Sequence, residues 1–332
     1  MSLTVSRTAA FIALAATTPA ACATPPPLHV VAPAASAPSA ASVAFADADR
    51  TVTTTIVSGV THTFVRDGRG PWVIHIVVVD PRTCGPVLEA RKPGAALNER
   101  ATTSSLAAGA LVGINADFFM LPGGTPVGAH VSDGVPLIGP TDRPLFAVTA
   151  AGWRIGTARV RGYARVSGDS AAIEQVNRPA AAFAAYRGTG SGLTLFTAWI
   201  GDSVPPDSAA RRATIRLLQG DEAAGRGIIM SSDSPATALR MQPGTAVLLA
   251  HGEDRAWLRR RAVGDTISWS VRVLVDAPAA TPSPAMEAVG GFPVLLREGR
   301  NALEGQTVAA SFGSRRHPRT AVGWTPDGRL LL

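Results

Sequence analysis

The sequence predicts an α+β fold: a single β-rich domain with a mixed or antiparallel sheet and few, short helices. Three observations carry this. The apolar runs are short and β-branched, or alternate strictly, and few follow a helical spacing. Glycine (33) and proline (26) interrupt the chain too often for long helices. Hydrophobic residues make up 46% of the 332 and charged residues 17%, which supplies a sizeable core and excludes global disorder.

Residues 1–23, MSLTVSRTAAFIALAATTPAACA, place Arg7 before an apolar run and end on Ala21-Cys22-Ala23, an A-x-A-like cleavage site. They read as a secretory signal, so the chain is expected to be exported, periplasmic or secreted. The apolar run is too short for a permanent span. A membrane enters only if Cys22 is lipidated. Pro19 stands three residues before it, where lipoprotein signals resemble Leu, so soluble export is favoured. Residues 24–50 form a Pro/Ala/Ser-rich tether with three consecutive prolines, which stays extended outside any core. The folded domain is expected over 51–332.

Residues 72–80 (WVIHIVVVD) read as a well-buried strand. Residues 111–120 (LVGINADFFM) are a second apolar run with polar groups near its end, and 152–166 suggest an Arg-rich strand pair. Strands are also expected at 192–200 and 211–218, and the run 246–250 follows them. A short helix is expected over 254–263, with Gly264 placed to end it. In 265–276 (DTISWSVRVLVD), Ile267, Trp269, Val271, Val273 and Val275 share one face. Residues 320–332 carry a hairpin signal around Pro326-Asp327-Gly328. That hairpin's second arm, 329–332, is apolar on both faces and is expected to be poorly satisfied at the chain's end.

The net charge of +7 comes almost wholly from arginine, because Lys92 is the only lysine. The arginines are scattered, without the basic stripe and interleaved aromatics of a nucleic-acid binder, so no nucleic-acid partner is expected. Arginine does suit an anionic substrate, since its fork matches phosphate. With two cysteines, Cys22 and Cys84, neither a disulfide nor a cysteine-rich metal site is expected. His130, His251 and His317 lack ligand spacing, so no metal and no cofactor are expected.

Three segments combine glycine with polar groups: 113–119 (GINADFF); Pro126-Val127-Gly128, Ser132-Asp133-Gly134 and Asp142-Arg143-Pro144; and Gly290-Gly291-Phe292-Pro293 with His317-Pro318-Arg319-Thr320. Each has a plain explanation alone. Asn115 and Asp117 suit a turn at a strand end. Asp133-Gly134 is, on spacing, better read as a hairpin turn than as a site. Gly290 and Gly291 suit a loop, Arg319 a solvated surface, and His317 a structural role.

Taken together, with GVTHTFVRDGRGPWVIHIVVVD, VNRPA (175–180 region), VGGFPVLLREGR and RRHPRTAVGWTPDGRLLL, they resemble the phosphodiester glycosidase family, the domain of the lysosomal uncovering enzyme and its bacterial relatives. The resemblance covers most of 55–332. It implies hydrolysis of a sugar-1-phosphodiester to free sugar and a phosphomonoester. Members continue into an Asp-Gly-Gly-Gly-Ser-Ser motif, so this chain is expected to lack a C-terminal segment and, with it, much of the activity. The reaction needs cations for phosphate: Arg319 and Arg143, with Arg178 of Asn177-Arg178 weaker. It needs carboxylates at the anomeric carbon: Asp133, Asp117 and Glu287. His317 would protonate a leaving oxygen. Asn115, Asn177 and Thr320 would hold sugar or phosphate oxygens. Gly290 and Gly291 would let the backbone approach the ligand. Asn115, Asp133, Arg143, Arg319 and Thr320 are expected to converge on one cleft. The expected partner is a glycan or sugar phosphate of the cell envelope or an exopolysaccharide. A non-catalytic glycan-binding or exopolysaccharide-assembly module on the same fold is the alternative.

Overall fold

The structure, a computed structural model, describes residues 49–83, 85, 88–121, 123–179, 191–201, 203–277 and 280–332. The expected signal, nearly all of the tether, and both cysteines lie outside the described residues. The chain divides into two compact units, Met1–Val87 with Ala321–Leu332, and Leu88–Thr320, where the sequence predicts a single domain. The reason is hydrogen bonding: among the described residues, the sheet of the first unit shares no strand pairing with the sheets of the second.

The first unit opens with an antiparallel meander, β1 (Arg50–Val57), β2 (Val60–Asp67) and β3 (Trp72–Val79). β3 is the run expected to be buried throughout. Only Val77 and Val79 are buried, while Trp72, Val73 and Ile74 are exposed.

The second unit contributes β4 (His130–Ser132), β5 (Val135–Ile138), β6 (Leu145–Thr149), β7 (Gly152–Gly156), β8 (Ala158–Val166), β9 (Asp169–Val176) and β10 (Gly192–Phe196). It continues with β11 (Ser203–Val204), β12 (Arg211–Gly220), β13 (Ala224–Asp233), β14 (Leu239–Arg240), β15 (Thr245–His251), β16 (Thr266–Ala277), β17 (Ala280–Gly290), β18 (Leu296–Arg297) and β19 (Arg300–Asn301). Its described helices are short: α1 (Thr103–Leu106), α2 (Asp254–Arg259) and α3 (Ala310–Ser314).

Strands β13-β12-β15-β10-β9-β8-β16 pair in that order, and β13 also pairs with β16, which closes a barrel. Closure removes the exposed edges that an open sheet would carry. The β9–β10 pair is parallel and the other ladders of the barrel are antiparallel. Alternation fills the interior. Ile267, Trp269 and Val271 of β16 meet Ile215, Leu195 and Leu248, with Trp257 and Leu258 of α2 in the same cluster. The five residues expected on one face of β16 are all buried. Val273 and Val275 belong to a second cluster with Val131, Leu145, Ala147 and Ala288. β16 is therefore long enough to serve the barrel with one half and, through β17, a smaller sheet of β7-β6-β17-β4-β5 with the other.

Several local readings need correction. β7 and β8 do not pair with each other: β7 pairs with β6, and β8 joins the barrel. The bond from Asp276 N–H to Thr157 O (2.8 Å) anchors the link where the chain changes sheets. α2 ends at Arg259, four residues early, and Gly264 lies in the following turn at φ 93°. Residues 111–120 form no strand beyond an isolated bridge, Phe119 to Pro126.

The chain returns to the first unit in β20 (Gly323–Trp324) and β21 (Leu330–Leu331), the hairpin expected around Pro326-Asp327-Gly328. Its second arm is not left unsatisfied. β21 pairs with β3, Leu330 opposite Val79 and Leu331 opposite Val78, and Leu332 exchanges two 2.9 Å bonds with Val77. Leu330 is fully buried. β3 offers an apolar edge of the right register, so the arm becomes an interior strand of the sheet β1-β2-β3-β21-β20.

Candidate functional site

Asp117 occupies the left-handed region (φ 51°), which short polar side chains tolerate because they bond locally. Its Oδ1 accepts from its neighbour Phe118 N–H (2.7 Å), and its Oδ2 accepts from Gly128 N–H (2.7 Å). The carboxylate is enclosed by glycines. A Cβ on Gly290 would stand 2.6 Å from Asp117 Oδ2, and one on Gly128 would stand 2.9 Å from Gly290 Cα. Burial pushes the Asp117 pKa up from its ordinary value, against the two N–H bonds and the charges of Arg143 and Arg178.

The two arginines play different parts. Arg178 is buried and spent on backbone: Nε and Nη2 donate to Gly139 O (3.1 and 2.7 Å), and Nη2 donates to Gly128 O (3.1 Å). Burial lowers its pKa to about 10, and Asp117 opposes the shift. Arg178 thus fixes Gly128, whose N–H in turn fixes Asp117. Arg143 is half-buried, and its guanidinium lies between two rings, 5.7 Å from the Phe118 centroid and 5.5 Å from Phe292. No carboxylate ion pair is recorded for it among the described residues. Its charge acts on Asp117 without a direct bond to the carboxylate.

The aromatic contacts extend further. Phe118 meets Phe312 of α3 edge-on at 5.8 Å, and Arg319 stacks on Phe312 at 4.0 Å while donating to Phe312 O (2.6 Å). A ladder Arg319–Phe312–Phe118–Arg143–Phe292 therefore runs beside Asp117. It brings together Asp117, Arg143, Arg178, Gly290 and Arg319 from the expected set. Gly291 adjoins through its neighbours and donates to Pro144 O (3.1 Å), with open space where a Cβ would stand.

The other expected residues are placed differently. Asp133 and Gly134 both have positive φ (50° and 76°) and form the two-residue turn between β4 and β5, so the hairpin reading holds. Glu287 on β17 is half-buried. Its Oε1 accepts from Asp133 N–H (2.8 Å) and its Oε2 from Ala90 N–H (2.7 Å). Burial pushes its pKa up, and it serves as a staple for that turn. Asn177 is buried at φ 49°, and its amide is satisfied by Leu137 O (2.8 Å), Thr197 Oγ1 (2.9 Å) and Thr197 N–H (2.8 Å). Asn115 accepts from Thr103 Oγ1 at the start of α1. His317 and Thr320 are exposed, with no contact recorded to Asp117. Ring contacts link Arg143 and Arg319 through Phe118 and Phe312, next to Asp117, and no such contact reaches Asp133 among the described residues.

Gly128 lies in a segment the sequence singles out, whereas Phe118, Phe292 and Phe312 are constituents that residue-type reasoning passes over, because a phenylalanine carries no chemistry of its own. Their signal was adjacency: Phe118 follows Asp117 and Phe292 follows Gly291. Phe312 carried none. A concavity of about 430 Å³ lies elsewhere, lined by Arg91, Lys92, Ser105, Ser132 and Trp199 among others. Its cations are already engaged: Arg91 with Glu89 and the Leu106 and Ala108 carbonyls, and Lys92 with Glu99 O. The Asp117 cluster, with an uncommitted cation beside a carboxyl, has the stronger chemistry.

Two solved structures share the fold. A hypothetical protein from Synechocystis superposes with a TM-score of 0.61 at 20% identity, covering 86% of this chain and 52% of its own. A putative exported protein from Burkholderia pseudomallei gives 0.54 at 22% identity, covering 79% of this chain and 61% of its own. The chain thus spans only about half to three-fifths of the length of these structures. No curated protein matches it significantly. Over residues 224–332, which carry Gly290, Gly291, His317, Arg319 and Thr320, the chain matches the phosphodiester glycosidase family.

Proposed function

We propose that this protein hydrolyses the glycosidic bond of a sugar-1-phosphodiester outside the cytoplasm, on a glycan of the cell envelope or an exopolysaccharide. The observation that supports it is the pairing of an enclosed carboxyl, Asp117, with the uncommitted guanidinium of Arg143. In this reaction water adds to the anomeric carbon, the C1–O bond breaks, and its electron pair leaves with the phosphomonoester. That leaving group is already a stable anion and needs little protonation. The demand falls on a carboxylate that takes the water's proton or steadies the oxocarbenium-like centre, and on a cation that holds the phosphate. Asp117 fits the first role and Arg143 the second. Arg178 and Gly128 position Asp117, and Arg319 adds positive charge along the ladder.

The test is turnover of a panel of sugar-1-phosphate diesters in ¹⁸O water. The label should appear in the released sugar. Asp117→Asn should lower kcat by about 10²–10⁴-fold, the range for a lost general base. Label in the phosphate would mean P–O cleavage and would overturn the reading. Binding of the diesters without turnover would favour the glycan-binding module.

A further inference from the structure

We infer that the site takes a phosphodiester whose second substituent is a hydrocarbon chain, a lipid-type aglycone. The inference rests on the function proposed above and names the class of its substrate. The chain leaves Asp117 directly into four large apolar residues, Phe118, Phe119, Met120 and Leu121, whose exposure climbs from 38 to 52, 61 and 73%. A run of exposed apolar residues of this length is unusual on a surface and marks a binding region.

The segment is built, because its backbone is satisfied locally. Val127 N–H donates to Phe118 O (2.8 Å), Met120 N–H to Thr125 O (2.8 Å) and Gly124 N–H to Met120 O (2.6 Å), and Phe119 bridges to Pro126. In this tight tongue Phe118 packs edge-on against Phe312, while Phe119, Met120 and Leu121 are the more exposed part of the run.

Position identifies the occupant. The first ring of the tongue, Phe118, is also the face on which Arg143 lies. A phosphodiester has two ends. With its phosphate at Arg143 and its sugar at Asp117, the remaining ester oxygen has the apolar tongue alongside. Sugars offer hydroxyls, and Phe119, Met120 and Leu121 have no group to pair with them. A hydrocarbon chain is matched by the flexible, polarizable surface that Met and Leu provide.

The experiment compares methyl, hexyl and dodecyl diesters of one sugar-1-phosphate, each below its micelle concentration. In the unaltered chain kcat/KM should rise at least tenfold from methyl to dodecyl. In Met120→Ser/Leu121→Ser the dodecyl-to-methyl ratio should fall towards one. Methyl-diester turnover with no chain-length dependence overturns this inference and leaves the proposed function standing. If no diester is turned over, the proposed function fails, and calorimetry with dodecyl phosphate against methyl phosphate decides the inference alone. Dodecyl phosphate bound at least tenfold more tightly, with the preference lost in the double variant, supports it, and equal binding overturns it. Binding of the tongue to plain phosphatidylcholine vesicles, with no chain-length preference in solution, would assign it to a membrane surface and overturn the inference as well.

Discussion

Gly290→Ala adds one methyl group where the structure leaves no space. The new Cβ would lie 2.6 Å from Asp117 Oδ2, 2.7 Å from Cγ and 2.8 Å from Oδ1, against an ordinary carbon contact of about 3.5–4.0 Å. Gly290 has no positive φ, so backbone strain does not enter, and the conflict is purely of contact. The carboxylate must retreat by about 1 Å. It then loses the 2.7 Å bond from Gly128 N–H, a charge-assisted bond worth about 1.5–3 kcal/mol. Overpacking alone costs about 1–3 kcal/mol, and the two costs overlap, so a loss of about 2–3 kcal/mol is expected. For a unit of this size each kcal/mol lowers Tm by about 2–4 °C, which gives a drop of about 4–12 °C. A 1 Å displacement of a reacting group costs about 10²-fold in rate. Gly291→Ala is the control, since nothing stands within 4 Å of its Cβ, and it should stay within about 0.5 kcal/mol of the parent. Thermal melting and kcat/KM measured on both variants decide the matter. Equal behaviour of the two would refute the enclosure of Asp117 by Gly290.

Glu287→Gln should lose about 1–2 kcal/mol in a denaturant titration, because one of the N–H groups of Ala90 and Asp133 then faces an amide donor, while kcat/KM changes less than about threefold. Asp133→Asn should be nearly silent in both assays, since Asn-Gly makes the same turn as Asp-Gly. Arg178→Met should cost about 2–4 kcal/mol by stranding the Gly128 and Gly139 carbonyls, and should raise the Asp117 pKa further by removing an opposing charge, as read from the pH profile of the residual activity. That profile has a definite sign in the parent. The working form of Asp117 is ionised and its pKa is raised by burial, so kcat/KM should fall as pH drops through a value higher than an ordinary aspartate's. The same upward shift means that stability declines as pH rises from the unfolded-state pKa through the folded one and levels off above it, which a pH series of melts will register.

The strands of the β-rich fold were legible where alternation was strict. In β16 five apolar residues at a spacing of two gave the buried face without knowledge of any neighbour. β3 misled for the complementary reason: an apolar run states that a strand is suited to burial, and its partners decide which half obtains it. Closure of the barrel through the β13–β16 pair depends on contacts distant in sequence, which local pattern does not carry. At the site, Asp133 and Asp117 looked alike as acids beside small residues. The hairpin spacing around Asp133-Gly134 favoured a turn without removing it from the candidates, whereas the enclosure of Asp117 requires Gly128 and Gly290 to meet, a fact of tertiary packing.

The pairing of β21 with β3 ties together residues roughly 250 positions apart. Closing a flexible loop of that length costs on the order of 5 kcal/mol in entropy beyond a constant, against a two-residue ladder and one buried leucine. The order of assembly follows. Once the barrel has condensed, the intervening chain no longer behaves as a random loop, and the cost of joining the ends falls. Until then Val77, Val78 and Val79 present a bare apolar edge to any passing strand. During synthesis that edge emerges early and waits for Leu330 and Leu331, roughly 250 residues later, to be made. The interval is one in which a holding chaperone would protect it from aggregation.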